Sequence, residues 1–396
     1  MKTIDSLKLS GKRVLIRVDF NVPLNKDLSV ADDSRIKAAI PTIKKVINSG
    51  GVAIILSHLG RPKGRVNNSF SLKHIVTCLS KHINSSVLFV EDCIGEETLT
   101  IIKNNRSQNV ILLENLRFYK QEEAGDEWFA RELAKLGDVY INDAFGTLHR
   151  KHASTSTIVE FFKNQKTFGY LVANELEQLK KVTKNPLRPV TAIIGGAKIS
   201  SKIDVVFSLI NKVDNLIIGG GMAYTFIKSM GGEIGSSLVE NDKLDIAKKL
   251  IIEAKEKGVL LLLPIDSINA SEFNNNSNTC VSQANKVPVG FMGLDIGEKS
   301  VEVFKETILK SKTIIWNGPM GVFEMDNFSN GTKKIADSVC AATNKGAFSL
   351  VGGGDSVAAI KKFKIENGVS YISTGGGAML EYLEGKELPG IKAIRT

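Results

Sequence analysis

Short clusters of charged and polar residues follow apolar, strand-like runs in the first 170 residues of this 396-residue chain. The run VAIIL, for example, is followed by SHLGRPKGR, which places His58 and Arg61 directly behind a predicted strand. Similar clusters in VDFN, LLENLRF and YINDAFGTLHRKH contribute Asp19, Asn21, Arg117, Asn142, Asp143, His149, Arg150 and His152. Arginine binds carboxylate and phosphate groups through paired hydrogen bonds. These residue types therefore predict a site for a small acid that carries a phosphate.

Glycines, rather than charged side chains, follow the apolar runs of the second half. Five such turns occur, in GGAK, GGGMA, NGPMGVFE, GGGDS and TGGGA. Glycine lets backbone N–H groups approach a phosphate closely at the start of a helix. One glycine-rich turn alone usually indicates a tight strand-to-helix connection, but five in one half favour a nucleotide site. None of the five matches the Walker A pattern, and no GxGxxG opens a strand–helix–strand unit, which disfavours P-loop and Rossmann dehydrogenase functions.

Several single residues allow two interpretations. Asp355 follows GGG and could cap a helix or lie near a nucleotide-bound magnesium ion. Glu324 could be a surface carboxylate or could accept hydrogen bonds from a ribose. His74 and His82 lie in helical patterns, which predicts structural roles for both. The remaining histidines lie in loops among arginines, which favours ligand contact for His58, His149 and His152.

The composition is typical of a globular protein, with 43% hydrophobic and 24% charged residues. The net charge of +10 could indicate nucleic-acid binding, but the lysines are spread over helix-like stretches, and nine of the eleven arginines lie in the first 170 residues. A small anionic ligand explains this distribution better. We expect no membrane span and no signal peptide. Four widely spaced cysteines without CxxC spacing fit isolated thiols in a reducing cytoplasm.

Strand-like and helix-like segments alternate along the chain, which is typical of parallel sheets with helices on both faces. We predict two doubly wound parallel-sheet (Rossmann-like) α/β domains, at residues 1–170 and 188–384. The amphipathic segment YLVANELEQLKKVTKNPLRP predicts a connecting helix and hinge over 171–187, ended by Pro186 and Pro189. The tail from about residue 385 to 396 is expected to pack back on the first domain. EFNNNSNTCV is predicted to be a polar loop.

A series of motifs resembles the phosphoglycerate kinase family. In chain order, between residues 13 and 390, they are RVDFNVP, SHLGRP, LLENLRF, YINDAFGT, GGAK, IIGGGMA, WNGP, GVFE, GGGDS, STGGGA and EGKELPG. The similarity covers nearly the whole chain and is to the short, bacterial-type form. It implies reversible phosphoryl transfer from 1,3-bisphosphoglycerate to ADP, which gives 3-phosphoglycerate and ATP. It also implies that the cluster SHLGR contacts the carboxylate and phosphate of 3-phosphoglycerate.

The resemblance implies roles for particular positions. The implied phosphoglycerate site comprises Asp19, Asn21, Arg35, His58, Leu59, Gly60, Arg61, Arg117 and Arg150. The implied nucleotide site comprises Lys198, Lys202, Gly219, Gly293, Asn317, Glu324, Gly353, Gly354, Asp355 and Ser356. Asp355 matches the residue associated with the magnesium ion. Cations and backbone donors must surround the transferring group, and the candidates for this catalytic role are Arg35, Lys198, Gly375 and Gly376.

Two other classes of function fit parts of the pattern. A two-domain anion-binding protein without catalysis would not need a glycine-rich half, and its usual extracytoplasmic setting conflicts with the expected lack of a signal peptide. A nucleic-acid-binding role rests on net charge alone. A coupled assay for ATP formation from 1,3-bisphosphoglycerate separates the three. We expect a cytoplasmic, monomeric enzyme that uses ADP or ATP with magnesium and has no nucleic-acid or membrane partner.

The two predicted ligand sites lie in different domains, so the sequence predicts a domain closure. In-line transfer requires the reacting atoms to lie within about 3–3.5 Å of each other, in a site that excludes water. We expect either ligand alone to leave the protein largely open and both together to compact it, with hinges near residues 185–189 and near STGGG. Small-angle scattering measures this, and an equal radius of gyration without ligands and with both would rule closure out.

Overall fold

The computed structural model describes residues 3–105 and 108–396. The chain divides into two compact units. Unit 1 comprises Met1–Glu177 and Glu387–Thr396, and unit 2 comprises Gln178–Lys386. None of the described helices is both long enough and apolar enough to cross a bilayer.

Unit 1 is built on a six-stranded sheet. Its strands are β1 (Arg13–Val18), β2 (Val52–Leu56), β3 (Leu88–Val90), β4 (Val110–Leu113), β5 (Val139–Asp143) and β6 (Lys166–Phe168). All neighbours are parallel, in the order β3-β4-β2-β1-β5-β6. The central strands are buried on both faces, which explains why their sequences read as continuous Val, Ile and Leu runs rather than as alternating patterns.

Helices cover this sheet. They are α1 (Ser34–Asn48), α2 (Val76–Ile83), α3 (Glu96–Asn104), α4 (Lys120–Ala124), α5 (Glu127–Ala134) and the first part of α6 (Tyr170–Thr183), whose residues from Gln178 onward belong to unit 2. The apolar residues of α1 recur at helical spacing, so Ile36, Ala39, Ile43 and Val46 all enter the core beside the β1 and β2 side chains. Parallel strands end at one edge of a sheet, and the polar clusters predicted from the sequence therefore all emerge at the carboxyl edge of β4, β2, β1 and β5.

Unit 2 contains a second six-stranded parallel sheet and two small sheets. Its strands are β7 (Val190–Ile194), β8 (Asn215–Ile218), β9 (Glu233–Ile234), β10 (Leu260–Leu262), β11 (Asp266–Ala270), β12 (Thr279–Gln283), β13 (Lys286–Val287), β14 (Met292–Ile296), β15 (Thr313–Asn317), β16 (Phe348–Val351) and β17 (Tyr371–Ile372). The large sheet has the order β10-β8-β7-β15-β16-β17. The small sheets are an antiparallel β12-β11-β14 and a parallel β13-β9 pair.

The helices of unit 2 follow its strands in the alternation that the sequence predicts. They are α7 (Ile203–Ile210), α8 (Ala223–Ser229), α9 (Leu244–Glu256), α10 (Glu298–Lys310), α11 (Asn330–Asn344), α12 (Gly354–Phe363) and α13 (Gly377–Leu383). The final helix, α14 (Pro389–Arg395), lies in unit 1, where the Gly390 amide donates to the Leu148 carbonyl at 2.9 Å.

The prediction of two parallel-sheet α/β domains is confirmed, because each unit is built on a six-stranded parallel sheet. The expectation of a loop over residues 272–281 is wrong at its end, because β12 begins at Thr279. The residues of β12 do not form an apolar run, because β12 is an edge strand whose side chains are all at least partly exposed. The sequence analysis also did not predict the short strand β6 or the small-sheet strands β9, β11, β13 and β14.

Asp143, the last residue of β5, stabilises the start of α6. Its carboxylate accepts the Val172 amide at 3.2 Å and a hydrogen bond from the Thr42 hydroxyl. The Thr42 oxygen in turn accepts the Tyr170 amide at 2.9 Å, so two side chains satisfy the free N–H groups of the first turn. Complete burial raises the pKa of Asp143 to about 7. The carboxyl edge of the sheet is therefore tied to the first turn of α6.

Replacement of Asp143 by Asn should change how stability depends on pH. The folded-state pKa lies above the unfolded value of about 4, so the contribution of Asp143 is greatest below pH 4 and is lost as the pH rises through 7. Relative to the wild type, the unfolding free energy of Asp143→Asn should rise by about 1.4 kcal/mol per pH unit between pH 5 and 6.5. Urea unfolding followed by circular dichroism measures this difference.

Asp138→Asn is the matched control in unit 1. Burial raises the pKa of Asp138, but hydrogen bonds from Arg13 outweigh it and hold that pKa below its usual value. Asp138 therefore stays ionised in both folded and unfolded protein above pH 5, and the control should differ from wild type by a constant amount. A constant difference for Asp143→Asn as well would show that its carboxyl group does not titrate with folding.

Candidate functional site

Two of the predicted residues in unit 1 form an ion pair at the carboxyl edge of the sheet. Asp19 follows β1, and Arg35 lies in the first turn of α1. The guanidinium Nη1 of Arg35 lies 2.7 Å from Oδ2 of Asp19, and 40% of the Arg35 side chain is exposed. Asp19 thus holds one edge of the guanidinium, and the exposed part of the side chain can contact an anion.

His58 lies almost fully buried behind this pair. Its Nδ1 is 3.2 Å from Nη2 of Arg17, and a guanidinium can only donate, so Nδ1 must accept. Burial, followed by the positive charge of Arg17, holds the pKa of His58 well below its usual range. His58 is therefore a neutral imidazole with its proton on Nε2, which can donate one hydrogen bond to a ligand.

The loop after β2 is fixed by its neighbours in the sheet. The Gly60 amide donates to Oδ1 of Asn21 at 2.8 Å, and its carbonyl accepts from Nη1 of Arg117 at 2.9 Å. Leu59 is 2% exposed, so it offers a ligand little beyond its backbone. Arg61 is exposed. The structure thus brings Asn21, Gly60 and Arg117 together and leaves the Arg61 side chain in solvent.

Arg150 and the two later histidines follow β5. Nε of Arg150 lies 3.3 Å from Nε2 of His149, and both residues are partly exposed. His152 is buried, 3.8 Å from the carboxylate of Glu122, and burial, followed by Arg17, lowers its pKa to about 3. His149 therefore lies where a ligand could reach it, whereas His152 belongs to the packed layer beneath.

The glycine turns of unit 2 surround a partly buried lysine. Nζ of Lys202 donates to the carbonyls of Gly195 at 2.6 Å and Asn317 at 3.1 Å. Burial lowers the pKa of Lys202 to about 8, although the charge of Asp355 opposes this shift. The ammonium group is thus held by backbone carbonyls at the carboxyl edges of β7 and β15.

The turn before α12 requires glycine. Gly353 has a φ of +95°, and a Cβ there would lie 2.5 Å from the side-chain nitrogen of Asn317. That nitrogen donates to the Gly352 carbonyl at 2.8 Å, while the Ser356 hydroxyl accepts the Gly318 amide at 2.5 Å. These contacts lock two glycine turns together. Gly354, at the start of α12, remains exposed.

A cavity of about 430 Å³ opens in unit 2. Of the predicted nucleotide residues, Gly293, Glu324 and Asp355 line it. Its apolar walls are formed by Tyr224, Leu238, Pro264, Phe273, Met292, Leu294, Met320 and Val322. An apolar pocket rimmed by glycine turns fits a planar base at one end and phosphates at the other.

Asp355 and Lys198 are exposed charged residues near these turns. Asp355 lies in the first turn of α12, and Lys198 immediately precedes the short 3₁₀ helix Ile199–Ser201. Magnesium keeps several waters and takes one or two carboxylates together with substrate phosphates. An exposed Asp355 carboxylate at the cavity edge fits that ligand set. Gly219, by contrast, is buried beside Met320 rather than in the cavity lining.

The two candidate glycines at the end of β17 differ. Gly376 has a φ of +50° and precedes α13, whereas the Gly375 amide donates to the Ser373 hydroxyl at 3.1 Å. The Gly375 N–H must break that bond before it can serve a ligand. Gly376 therefore offers the freer backbone position.

Sequence reasoning missed buried groups that support these sites. Arg17 lies inside an apolar run, a signal that a partner must exist, and Glu122 is fully buried nearby.

In unit 2, Phe273 lines the cavity although its loop reads as polar. Asp295 also lines the cavity, and burial raises its pKa to about 7 while its carboxylate accepts the Gly331 amide.

Comparisons with known proteins bear on the family and the fold of this chain. The family model described as Phosphoglycerate kinase matches residues 4–386. The phosphoglycerate kinase of Porphyromonas gingivalis is 49% identical, over 99% of this chain and 100% of the relative. That of Chlorobium phaeovibrioides is 50% identical, over 99% of both chains.

Solved structures give the same result. Phosphoglycerate kinase from Coxiella burnetii superposes with a TM-score of 0.89 at 40% identity, over 100% of this chain and 98% of the other. The Pyrococcus horikoshii enzyme superposes with a TM-score of 0.82 at 29% identity, again over 100% and 98%. This chain therefore belongs to the phosphoglycerate kinase family, whose members are glycolytic kinases that transfer a phosphoryl group between a carboxyl group and a nucleotide.

Proposed function

We propose that the basic edge of unit 1 binds 3-phosphoglycerate and 1,3-bisphosphoglycerate, and that the cavity of unit 2 binds ADP and ATP. This division rests on the different residue types that follow the strands of the two units. Cationic side chains follow the strands of unit 1, whereas glycine turns and an apolar cavity follow those of unit 2.

In unit 1 the anion would meet several donors. Arg61 and Arg150 are accessible, Arg35 is partly exposed, and Arg117 is held against the loop after β2. His58 Nε2–H and the amides around Leu59 and Gly60 add neutral donors. The proposed set is Asp19, Asn21, Arg35, His58, Leu59, Gly60, Arg61, Arg117 and Arg150, in which Asp19 and Asn21 position other members.

In unit 2 the base would occupy the apolar cavity beside Gly293, with Glu324 accepting from the ribose. The phosphates would extend toward Lys202 and the turn before α12. Lys198 would lie near the transferring group. The remaining members of the proposed set form or support those turns, and they are Gly219, Asn317, Gly353, Gly354 and Ser356. Asp355 would hold magnesium, which, when bound, offsets the negative charge of the nucleotide phosphates.

The chemistry then requires no protein nucleophile. One acceptor is a carboxylate that is already ionised, so no general base is needed, and catalysis consists of positioning and charge stabilisation. Arg35 and Lys198 would neutralise charge on the transferring group, and the amides of Gly376 and Gly375 would donate to its oxygens. The proposal also includes a domain closure that brings the two bound ligands together. We further propose that the enzyme is a monomer and works in the cytoplasm.

The division between units predicts ligand-specific losses. Arg61→Ala or Arg150→Ala should weaken 3-phosphoglycerate binding by about 1–3 kcal/mol, because each change removes a charged hydrogen bond. ADP affinity should be nearly unchanged. Calorimetry with each ligand measures both values, and the matched control is Arg131→Ala, an exposed arginine of α5 paired with Glu127. Equal losses for both ligands would contradict the two-site assignment.

A transition-state role for Arg35 and Lys198 predicts a particular kinetic pattern. Arg35→Ala and Lys198→Ala should lower kcat far more than they raise either KM. Arg35→Lys should restore activity only in part, because an ammonium cannot reproduce a planar guanidinium. Steady-state kinetics in both directions test this. A near-normal kcat with a large change in KM would make that residue a binding group alone.

A further inference from the structure

One face of α2 carries a cysteine and a histidine that meet an aspartate from the segment before α1. Cys78 and His82 are four residues apart on α2, so their side chains lie on the same face of the helix. Asp33 immediately precedes α1. The sulfur, one ring nitrogen and one carboxylate oxygen of these three residues all lie within 4.8 Å of one another. The proposed phosphoryl-transfer function uses none of them.

The contacts within this cluster leave it suited to a cation. Nε2 of His82 lies 2.8 Å from Oδ2 of Asp33, while Oδ1 of Asp33 is paired with Lys37 at 2.9 Å. Asp33 therefore contacts His82 and Lys37 through separate oxygens. All three residues are partly buried, which leaves the cluster open to ions from solvent.

We propose that Asp33, Cys78 and His82 form a binding site for Zn²⁺ in unit 1. A thiolate, an imidazole and a carboxylate are ligands that Zn²⁺ takes in tetrahedral sites, whereas Mg²⁺ prefers oxygen alone. Paired ligands four residues apart on a helix also occur in zinc enzymes. Ligand atoms of a tetrahedral zinc site lie about 3–4 Å apart, so small side-chain rotations within this cluster suffice.

Binding would replace interactions that the cluster already makes. Nε2 of His82 now donates its proton to Asp33, so binding requires the ring proton to move to Nδ1. The ion then takes the Nε2 lone pair of His82, the Oδ2 of Asp33 and the Cys78 sulfur, whose thiol proton passes to solvent. Burial raises the pKa of the Cys78 thiol, which the positive charge of the ion would reverse. Lys37 can keep its bond to the other oxygen of Asp33 and so orient that ligand. Three protein ligands leave the fourth position to water.

The test uses the full-length, reduced protein with Co²⁺ as a spectroscopic substitute for Zn²⁺, without nucleotide or phosphate. We expect one equivalent of Co²⁺ to bind with a thiolate-to-cobalt charge-transfer absorption, and Zn²⁺ to displace it. Cys78→Ser should abolish that absorption, and His82→Gln or Asp33→Asn should weaken binding by about 10- to 100-fold or more. Circular dichroism establishes that each variant is folded.

Cys340→Ser and His74→Gln are the matched controls, because Cys340 is also a partly buried free cysteine and His74 lies in the short 3₁₀ helix Leu72–Ile75 that leads into α2. Both controls should keep wild-type cobalt binding. The proposal is overturned if wild-type protein gives no charge-transfer absorption, or if the absorption persists in Cys78→Ser. It is also overturned if His82→Gln and Asp33→Asn bind Co²⁺ as the wild type does. Failure here leaves the proposed phosphoryl transfer untouched, since the two share no residue.

Discussion

Arg17 carries a guanidinium charge into the centre of the unit 1 sheet, and the surrounding site is organised by the need to satisfy it. The side chain is fully buried on β1. Its Nε donates to the Ser154 hydroxyl at 2.8 Å, and that hydroxyl donates to the buried carboxylate of Glu122 at 2.6 Å. A buried charge without such partners would cost several kcal/mol. The chain of contacts joins β1, α4 and the segment after Arg150, so it fixes the loops that carry the proposed anion-binding side chains.

The same charge sets the state of His58. Burial, followed by the charge of Arg17, lowers the pKa of His58 and keeps its imidazole neutral. Because Arg17 donates to Nδ1, the ring proton lies on Nε2, which suits an acceptor such as a carboxylate or phosphate oxygen. In unit 2, backbone groups satisfy the hydrogen-bond donors of a partly buried cation. Lys202 is held by two carbonyls at adjacent strand ends, and glycines leave room for its ammonium group. Unit 1 thus holds its buried cation mainly with side chains, whereas unit 2 holds its lysine with backbone carbonyls.

The sequence predicted the strands and helices whose residue pattern lies within one short segment of the chain. Strands of the large sheets are continuous apolar runs bounded by glycine or polar clusters, so β1 and β15 could be read directly. Contacts between distant segments could not be read, because nothing near Arg17 in the chain indicates Glu122, more than 100 residues away. His82 illustrates the same limit. Its helical pattern predicted a structural role, and only the folded chain places it beside Asp33.

The partners of the buried cations decide how much positive potential remains for a ligand. A carboxylate partner cancels a charge, whereas a carbonyl partner satisfies the donors but leaves the net charge in place. Lys202 is of the second kind, because both of its acceptors are carbonyls. Arg117 is intermediate, since Gly60 supplies a carbonyl and the Glu123 carboxylate lies 3.3 Å from its Nε. Arg35 is paired with Asp19 but partly exposed, so an incoming phosphate can compete for its free edge. Unit 2 therefore keeps the positive charge of Lys202 through neutral partners, whereas in unit 1 the partly exposed edge of Arg35 is what remains available to attract an anion.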